Sequence, residues 1–332
     1  MGIICSLYMS DLKNIKEPVV NELLQFKTEF ESSLRSSEPF LQRAIDVILD
    51  KNGKQLRPLL VLLTAKACGK MNQMVINSAV FLELIHTATL IHDDVVDETK
   101  LRRGAPSLNA IFDNRVSVLV GDYILATAMS RSLLTGDLRI VNIVSSLGRE
   151  LAEGELKQLK VVDEIVLNKE AYIEIIRKKT ASLLSACMEI GAISSGASDE
   201  LVALGREAGQ ILGYCFQIKD DIFDYFVAEN IGKPTGNDIR EGKVTLPLLY
   251  ALETGRREEV EKARHILAQK DFSPENIQFL LDWAKESGGI DYATQCMQEY
   301  HAKAIELILQ LPDNDGRESL LQLADYIISR KK

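Results

Sequence analysis

Eight prolines limit what this 332-residue chain can fold into, because each stands where a helical pattern begins or breaks. They are Pro18, Pro39, Pro58, Pro106, Pro234, Pro247, Pro274 and Pro312. Between them apolar residues recur with the helical period, and strand signals are nearly absent. The spacing predicts helices over 17–35, 39–50, 57–68, 71–96, 115–135, 137–160, 168–195 and 198–226, with several shorter ones after 246. Ser273-Pro274-Glu275 reads as N-cap, first-turn proline and first-turn acid, and Gly136 and Gly288-Gly289 read as helix stops. Helices of this length with short links predict one all-α, single-domain bundle spanning 1–332, with room inside for an elongated ligand. Residues 1–16 are set apart as a flexible leader. Their start, Met1-Gly2-Ile3-Ile4-Cys5-Ser6, formally fits a myristoylation pattern but reads better as an upstream start before Met9.

Composition removes several classes of function. A formal charge of -9 disfavours general attraction to nucleic acid or an anionic membrane, so an anionic substrate needs local positive charge. The cysteines Cys5, Cys68, Cys187, Cys215 and Cys296 are scattered and never form a C-x-x-C pair. That pattern argues against a disulfide framework or structural zinc and fits a reducing cytoplasm. Glu83, Asp122 and Glu189 interrupt the most apolar runs before they reach the ~20 residues that span a bilayer, and no transmembrane helix is expected.

Two acidic motifs carry the chemistry: Asp93-Asp94-x-x-Asp97 and Asp220-Asp221-x-x-Asp224. On a helix advancing about 100° per residue, Asp93 and Asp97 lie on one face one turn apart with Asp94 beside them, so three carboxylates converge. Such clustering costs repulsion and helix propensity, which divalent cations offset. Magnesium suits the pattern, since it keeps several waters and bridges carboxylates to phosphate oxygens. Each motif follows an apolar segment, which argues against a merely solvated acidic face. Positive charge stands close by in sequence: Arg102 and Arg103 after the first motif, Lys54 and Arg57 in Gly53-Lys54-Gln55-Leu56-Arg57-Pro58. Guanidinium groups grip diphosphate oxygens bidentately. His86 precedes Asp93 by two helical turns and shares its face; alone it reads as a satisfied core histidine. The irregular stretch 228–245 reads as a functional loop, although its glycine spacing is not that of a Walker A loop. No Ser-His-Asp or Cys-His pairing stands out, so electrostatic control of a diphosphate fits better than nucleophilic catalysis.

With these pieces in place the chain resembles the trans-isoprenyl diphosphate synthases, and more specifically the long-chain heptaprenyl and octaprenyl diphosphate synthases. The matching segments are Gly53 to Pro58, Leu84-Ile85-His86 through Asp97, Leu101-Arg102-Arg103-Gly104, Gly121-Asp122-Tyr123, Lys179-Thr180, Phe216 to Asp221 and Gly232 through Pro247. Gln55 departs from the pattern, standing where the family often has arginine. The resemblance implies an isoprenoid synthase-type bundle, a homodimer, and a central cavity with the two motifs facing each other across its mouth. By the same resemblance Asp93, Asp94, Asp97, Asp220, Asp221 and Asp224 hold magnesium. Lys54, Arg57, His86 and Arg103 form an isopentenyl diphosphate site. Arg102, Lys179, Thr180, Gln217, Lys233 and Lys243 contact the allylic diphosphate or its neighbourhood. Catalysis falls to Asp93, Asp94, Asp97, Arg102, Lys179, Asp220 and Asp221.

The implied reaction ionises the allylic diphosphate, lets the double bond of isopentenyl diphosphate attack the cation, and releases a proton. Repetition lengthens the product. Ala88 and Thr89, five and four residues before Asp93, are both small where short-chain synthases place bulky aromatics. A long, octaprenyl-like product for a quinone side chain is therefore expected, with a short-chain farnesyl or geranylgeranyl synthase as the alternative. A class I terpene cyclase normally lacks the second full motif and the isopentenyl site, and a noncatalytic partner subunit should have eroded motifs.

Overall fold

The computed structural model describes residues 12–50, 53–102, 104–165, 167–226 and 235–330. Arg103, Lys233 and most of the expected leader lie outside the described residues.

Helices account for nearly all of the fold. The N-terminal group is α1 (Leu12–Lys16), α2 (Val20–Ser33), α3 (Pro39–Leu49), α4 (Leu56–Cys68) and α5 (Gln73–Val96). A two-residue-per-strand hairpin, β1 (Leu101–Arg102) and β2 (Ala105–Pro106), leads into α6 (Leu108–Ile111), α7 (Asn114–Leu133) and α8 (Leu138–Glu164). The stretch read as one helix over 168–195 is a rod in three parts: α9 (Lys169–Ile176), a π turn (Arg177–Ala181) and α10 (Ser182–Ser194). Then come α11 (Asp199–Asp224), α12 (Asn237–Arg240), α13 (Leu246–Thr254), α14 (Arg257–Gln269), α15 (Pro274–Glu286), α16 (Gly289–Ile308) and α17 (Asp315–Ser329).

Local chemistry explains the starts. Asn72, Asp113, Asp137, Asn168, Ser198 and Asn314 each accept a hydrogen bond from a first-turn N–H, contributing about 1 kcal/mol apiece. Pro274 and Glu275 open α15 as expected, but the Ser273 side chain makes no capping bond. Gly288 precedes α16 with φ +80°, a conformation that a Cβ would oppose. Leu12–Lys16, inside the stretch set apart as a leader, is helical, and its Ile15 is fully buried.

In the main core α10 packs along α11 and α4, α5 along α7, and α11 along α16. A smaller core gathers α12 to α15 around Leu248, Leu280 and Trp283. Leu167, Val244 and Ile290 pack against both. By length and composition α5 is apolar enough to cross a membrane, yet 72% of that window is buried in the protein, so its apolarity serves the core.

Candidate active site

Each acidic motif sits at the C-terminal end of a long helix, the first on α5 and the second on α11. Carboxylates there oppose the negative end of the helix dipole as well as one another. The structure answers with a different partner for almost every acid.

The hairpin after α5 folds Arg102 back so that its Nε donates to Asp94 Oδ1 at 2.5 Å. The Asp94 carbonyl accepts from Asn109 Nδ2 at 3.0 Å and from the Thr99 N–H at 2.9 Å. Asp97 Oδ1 lies 3.5 Å from Lys243 Nζ, which also pairs with Glu241 at 2.5 Å. Burial alone would lower the Lys243 ammonium, but Glu241, Asp97 and Asp238 outweigh it and hold the group charged. Asp93 is pushed up to about 6, first by burial and then by Glu155 and Asp97, against the pull of Lys179 and Arg102.

On α11 the Tyr172 hydroxyl donates to Asp221 Oδ2 at 2.6 Å and Gln217 Nε2 donates to Oδ1 at 2.8 Å. Burial still pushes Asp221 up to about 7, with Asp220 and Asp224 adding to the rise and those two hydrogen bonds opposing it. Asp224 accepts the N–H groups of Asn237 and Asp238, each at 3.0 Å, one on each carboxylate oxygen, and so anchors the start of α12. Asp220 accepts from Arg330 at 2.8 Å, while the same guanidinium donates to the Phe216 carbonyl and stacks 4.0 Å over the Phe216 ring.

The π turn places Lys179 against α8 and Thr180 against α11. Lys179 Nζ reaches Glu155 Oε2 at 2.5 Å and Gln158 Oε1 at 3.4 Å, and Thr180 Oγ1 donates to Gln217 Oε1 at 2.6 Å. Two glycines allow this closeness. A Cβ on Gly154 would stand 2.9 Å from Lys178 Cβ, and one on Gly213 would stand 2.3 Å from Ala181 Cα. Between these elements lies a cavity of about 140 Å³, lined by Gln158, Tyr172, Lys179, Thr180, Gln217, Asp221, Asp238 and Lys243 on its polar side and by Val161, Val162, Ile175, Ile176 and Val244 on its apolar side. A mixed lining of this kind suits an amphiphile with an anionic head.

The structure therefore brings together Lys179, Thr180, Gln217, Asp221 and Lys243, and ties Asp97 to them through Lys243. Lys54 is exposed just before α4, 5.7 Å from the ring of Tyr326 on α17, whose end also carries Arg330 to Asp220. Arg57 is half-buried in the first turn of α4 and His86 is buried on α5. Gln55 caps α4 in the left-handed region at φ +56°. Among the described residues no group of three or more acidic, histidine or cysteine side chains forms a ready-made metal cage. Ala88 is 1% exposed and packed in the main core, whereas Thr89 is half-buried with its hydroxyl turned back onto the His86 carbonyl at 2.8 Å.

Four neighbours of the acids escape a reading of the sequence. Glu155 and Gln158 had a faint signal in their Glu-x-x-Gln spacing, and Tyr172 in standing two turns before Lys179. Arg330 had none.

Residues 38–283 match the family model described as polyprenyl synthetase. The octaprenyl diphosphate synthase of Escherichia coli is 33% identical over 323 residues, 97% of this chain and 100% of that one. Among solved structures, a polyprenyl synthase from Caulobacter crescentus, complexed with calcium and isoprenyl diphosphate, superposes with a TM-score of 0.92 at 33% identity, covering 97% of this chain and 98% of that one. A geranylgeranyl pyrophosphate synthase from Bacteroides thetaiotaomicron gives 0.83 at 42% identity, over 96% and 98% of the two chains.

Proposed function

Because the chain belongs to the polyprenyl synthetase family, we propose that it is a trans-polyprenyl diphosphate synthase, one catalytic domain that repeatedly condenses isopentenyl diphosphate with an allylic diphosphate into a long all-trans product. The observation that carries this reading is Lys243. It pairs with Asp97 of the first motif while lining the same cavity as Asp221 of the second, so the two motifs serve one site.

The residues present fit a divalent cation, because Asp93, Asp97 and Asp220 offer hard carboxylate oxygens at the ends of two helices that Lys243 ties to one cavity. Asp93, Asp97 and Asp220 are the acids we assign to it: Asp97 and Asp220, although paired with Lys243 and Arg330, keep side chains 19% and 41% exposed, whereas Asp94 and Asp221 are buried against Arg102 and against Tyr172 and Gln217, and both Asp224 oxygens accept the α12 N–H groups. Magnesium, when bound, supplies charge stabilisation to the departing diphosphate. Lys179, Lys243 and Arg102 add fixed positive charge around that leaving group, in a site where burial strengthens each of them. The apolar wall of Val161, Ile175 and Ile176 keeps water from the allylic carbons. Lys54, with Arg57 and the first turn of α4, offers charge and N–H donors to isopentenyl diphosphate, with His86 and Arg103 assigned to the same substrate. Lys233 is assigned to the allylic diphosphate.

For product length, the octaprenyl relative and the small pair Ala88 and Thr89 support a long chain. The 42% identity to a protein named geranylgeranyl pyrophosphate synthase favours a second, shorter reading. Thr89, one turn below Asp93 and half-buried, is better placed than Ala88 to meet a growing tail. The remaining parts of the reading are a homodimer, for which exposed apolar residues on α7 and α8 speak, and a reducing cytoplasm, for which the free thiols of Cys68, Cys187, Cys215 and Cys296 speak.

Purified protein given labelled isopentenyl diphosphate, farnesyl diphosphate and magnesium should yield products longer than geranylgeranyl diphosphate on mass analysis, and Thr89→Phe should shorten them. Condensation that survives Asp93→Ala combined with Asp220→Ala would sink the catalytic reading.

A further inference from the structure

The strongest unassigned group near the site is Tyr172 on α9. It is 6% exposed and lines the same cavity as Lys179 and Asp221. It begins a chain of three hydrogen bonds: Tyr172 to Asp221 Oδ2 at 2.6 Å, Gln217 Nε2 to Asp221 Oδ1 at 2.8 Å, and Thr180 Oγ1 to Gln217 Oε1 at 2.6 Å. The chain has a fixed direction. Both Asp221 oxygens accept, one from the Tyr172 hydroxyl and the other from Gln217 Nε2, so the ionised carboxylate takes the NH₂ end of Gln217. That turns the amide oxygen toward Thr180 and commits the threonine proton to it.

We propose that Tyr172 is a positioning residue that acts through Asp221 to set the orientation of Gln217 and Thr180. This deepens the prenyltransferase reading and rests on it. Without the hydroxyl, Asp221 keeps one donor, is free to rotate about its side-chain bonds, and no longer holds the amide of Gln217 in one orientation. Thr180 then loses its fixed partner, although every side chain that touches substrate is still present.

The test is Tyr172→Phe, which removes one oxygen and keeps the ring. With isopentenyl and farnesyl diphosphates, kcat should fall by about tenfold or more while KM for isopentenyl diphosphate stays within about twofold. Binding of magnesium with inorganic diphosphate, followed by calorimetry, should stay within about twofold of wild type, because the change bypasses the proposed metal acids. In a Gln217→Met background, where the chain is already cut, Tyr172→Phe should cost nothing further. A kcat within twofold of wild type overturns the proposal. So does a loss of the same size in the Gln217→Met background, or a matching loss of magnesium–diphosphate affinity. Should Tyr172→Phe melt below the assay temperature, the orientation of Gln217 is read instead from its side-chain amide NMR signals at low temperature, and unchanged signals overturn the proposal. A wild-type protein that condenses nothing would remove the prenyltransferase reading itself, which no outcome for Tyr172 alone can do.

Discussion

Six carboxylates at two helix ends repel each other, and the side chains around them show which are tied to the protein. Asp224 is the clearest case, because both its oxygens are taken by backbone N–H groups that open α12. Asp224→Ala should therefore act first on structure: a cap lost at a buried turn costs about 1–2 kcal/mol, seen as a lower melting temperature and faster hydrogen exchange over 235–245. Asp94→Asn tests the Arg102 pair, in which Arg102 and Asp94 are both largely buried. Removing the charge from one buried partner leaves the other uncompensated, so stability should drop by about 3 kcal/mol and Arg102→Met together with Asp94→Asn should recover part of it. If the double variant melts no higher than Asp94→Asn alone, the pair is not what stabilises the hairpin. The acids were legible in sequence because such clusters are costly anywhere but at a cation site. Their partners were not: Tyr172 reaches Asp221 across 49 residues and Arg330 reaches Asp220 across 110, and a lone tyrosine or a terminal arginine looks like any other until the fold brings it in.

Most helices were legible from their period, since a buried stripe imposes it and prolines and caps mark the ends. The π turn at Arg177–Ala181 was invisible, because its sequence continues the helical pattern and only the packing of α8 and α11 against it calls for a wider turn. That packing depends on two glycines of unequal tolerance. At Gly213 an added Cβ meets backbone, Ala181 Cα at 2.3 Å, and neither helix can yield locally. At Gly154 it meets Lys178 Cβ at 2.9 Å and the Lys179 nitrogen at 3.1 Å, a milder conflict. Alanine gains about 1 kcal/mol over glycine within a helix, and overpacking costs about 1–3 kcal/mol. Gly154→Ala should consequently come out near neutral in a melting experiment, while Gly213→Ala should be destabilised and lose activity beyond its loss of stability, because the displaced turn carries Thr180. Equal melting temperatures for the two variants would show that α11 does not press on the π turn as closely as these distances indicate.

A protein of this size with its apolar residues satisfied should not leave a run of large leucines in water, yet Leu119, Leu133, Leu134, Leu138 and Leu156 are each between 64% and 81% exposed. Val118, Met129 and Leu159 join them, all on α7, α8 or the link between these helices. Leu119, Ala126 and Leu133 recur every seven residues, so α7 turns one face to α5 and another outward. Large apolar side chains exposed together on two neighbouring helices suit an interface, and a second copy of the same chain is the occupant the homodimer reading supplies. The wild-type protein should therefore sediment as a dimer at micromolar concentration, and Leu119→Glu with Leu133→Glu should give a monomer. Because α7 packs directly along α5, whose end carries Asp93, Asp94 and Asp97, dissociation should reach the site as well as the surface. The monomeric variant should melt lower than wild type, and wild type itself should melt lower on dilution, as stability linked to association requires. Wild-type protein that sediments as a monomer at micromolar concentration, with a melting temperature independent of concentration, would leave that apolar face to another partner and remove the homodimer from the reading.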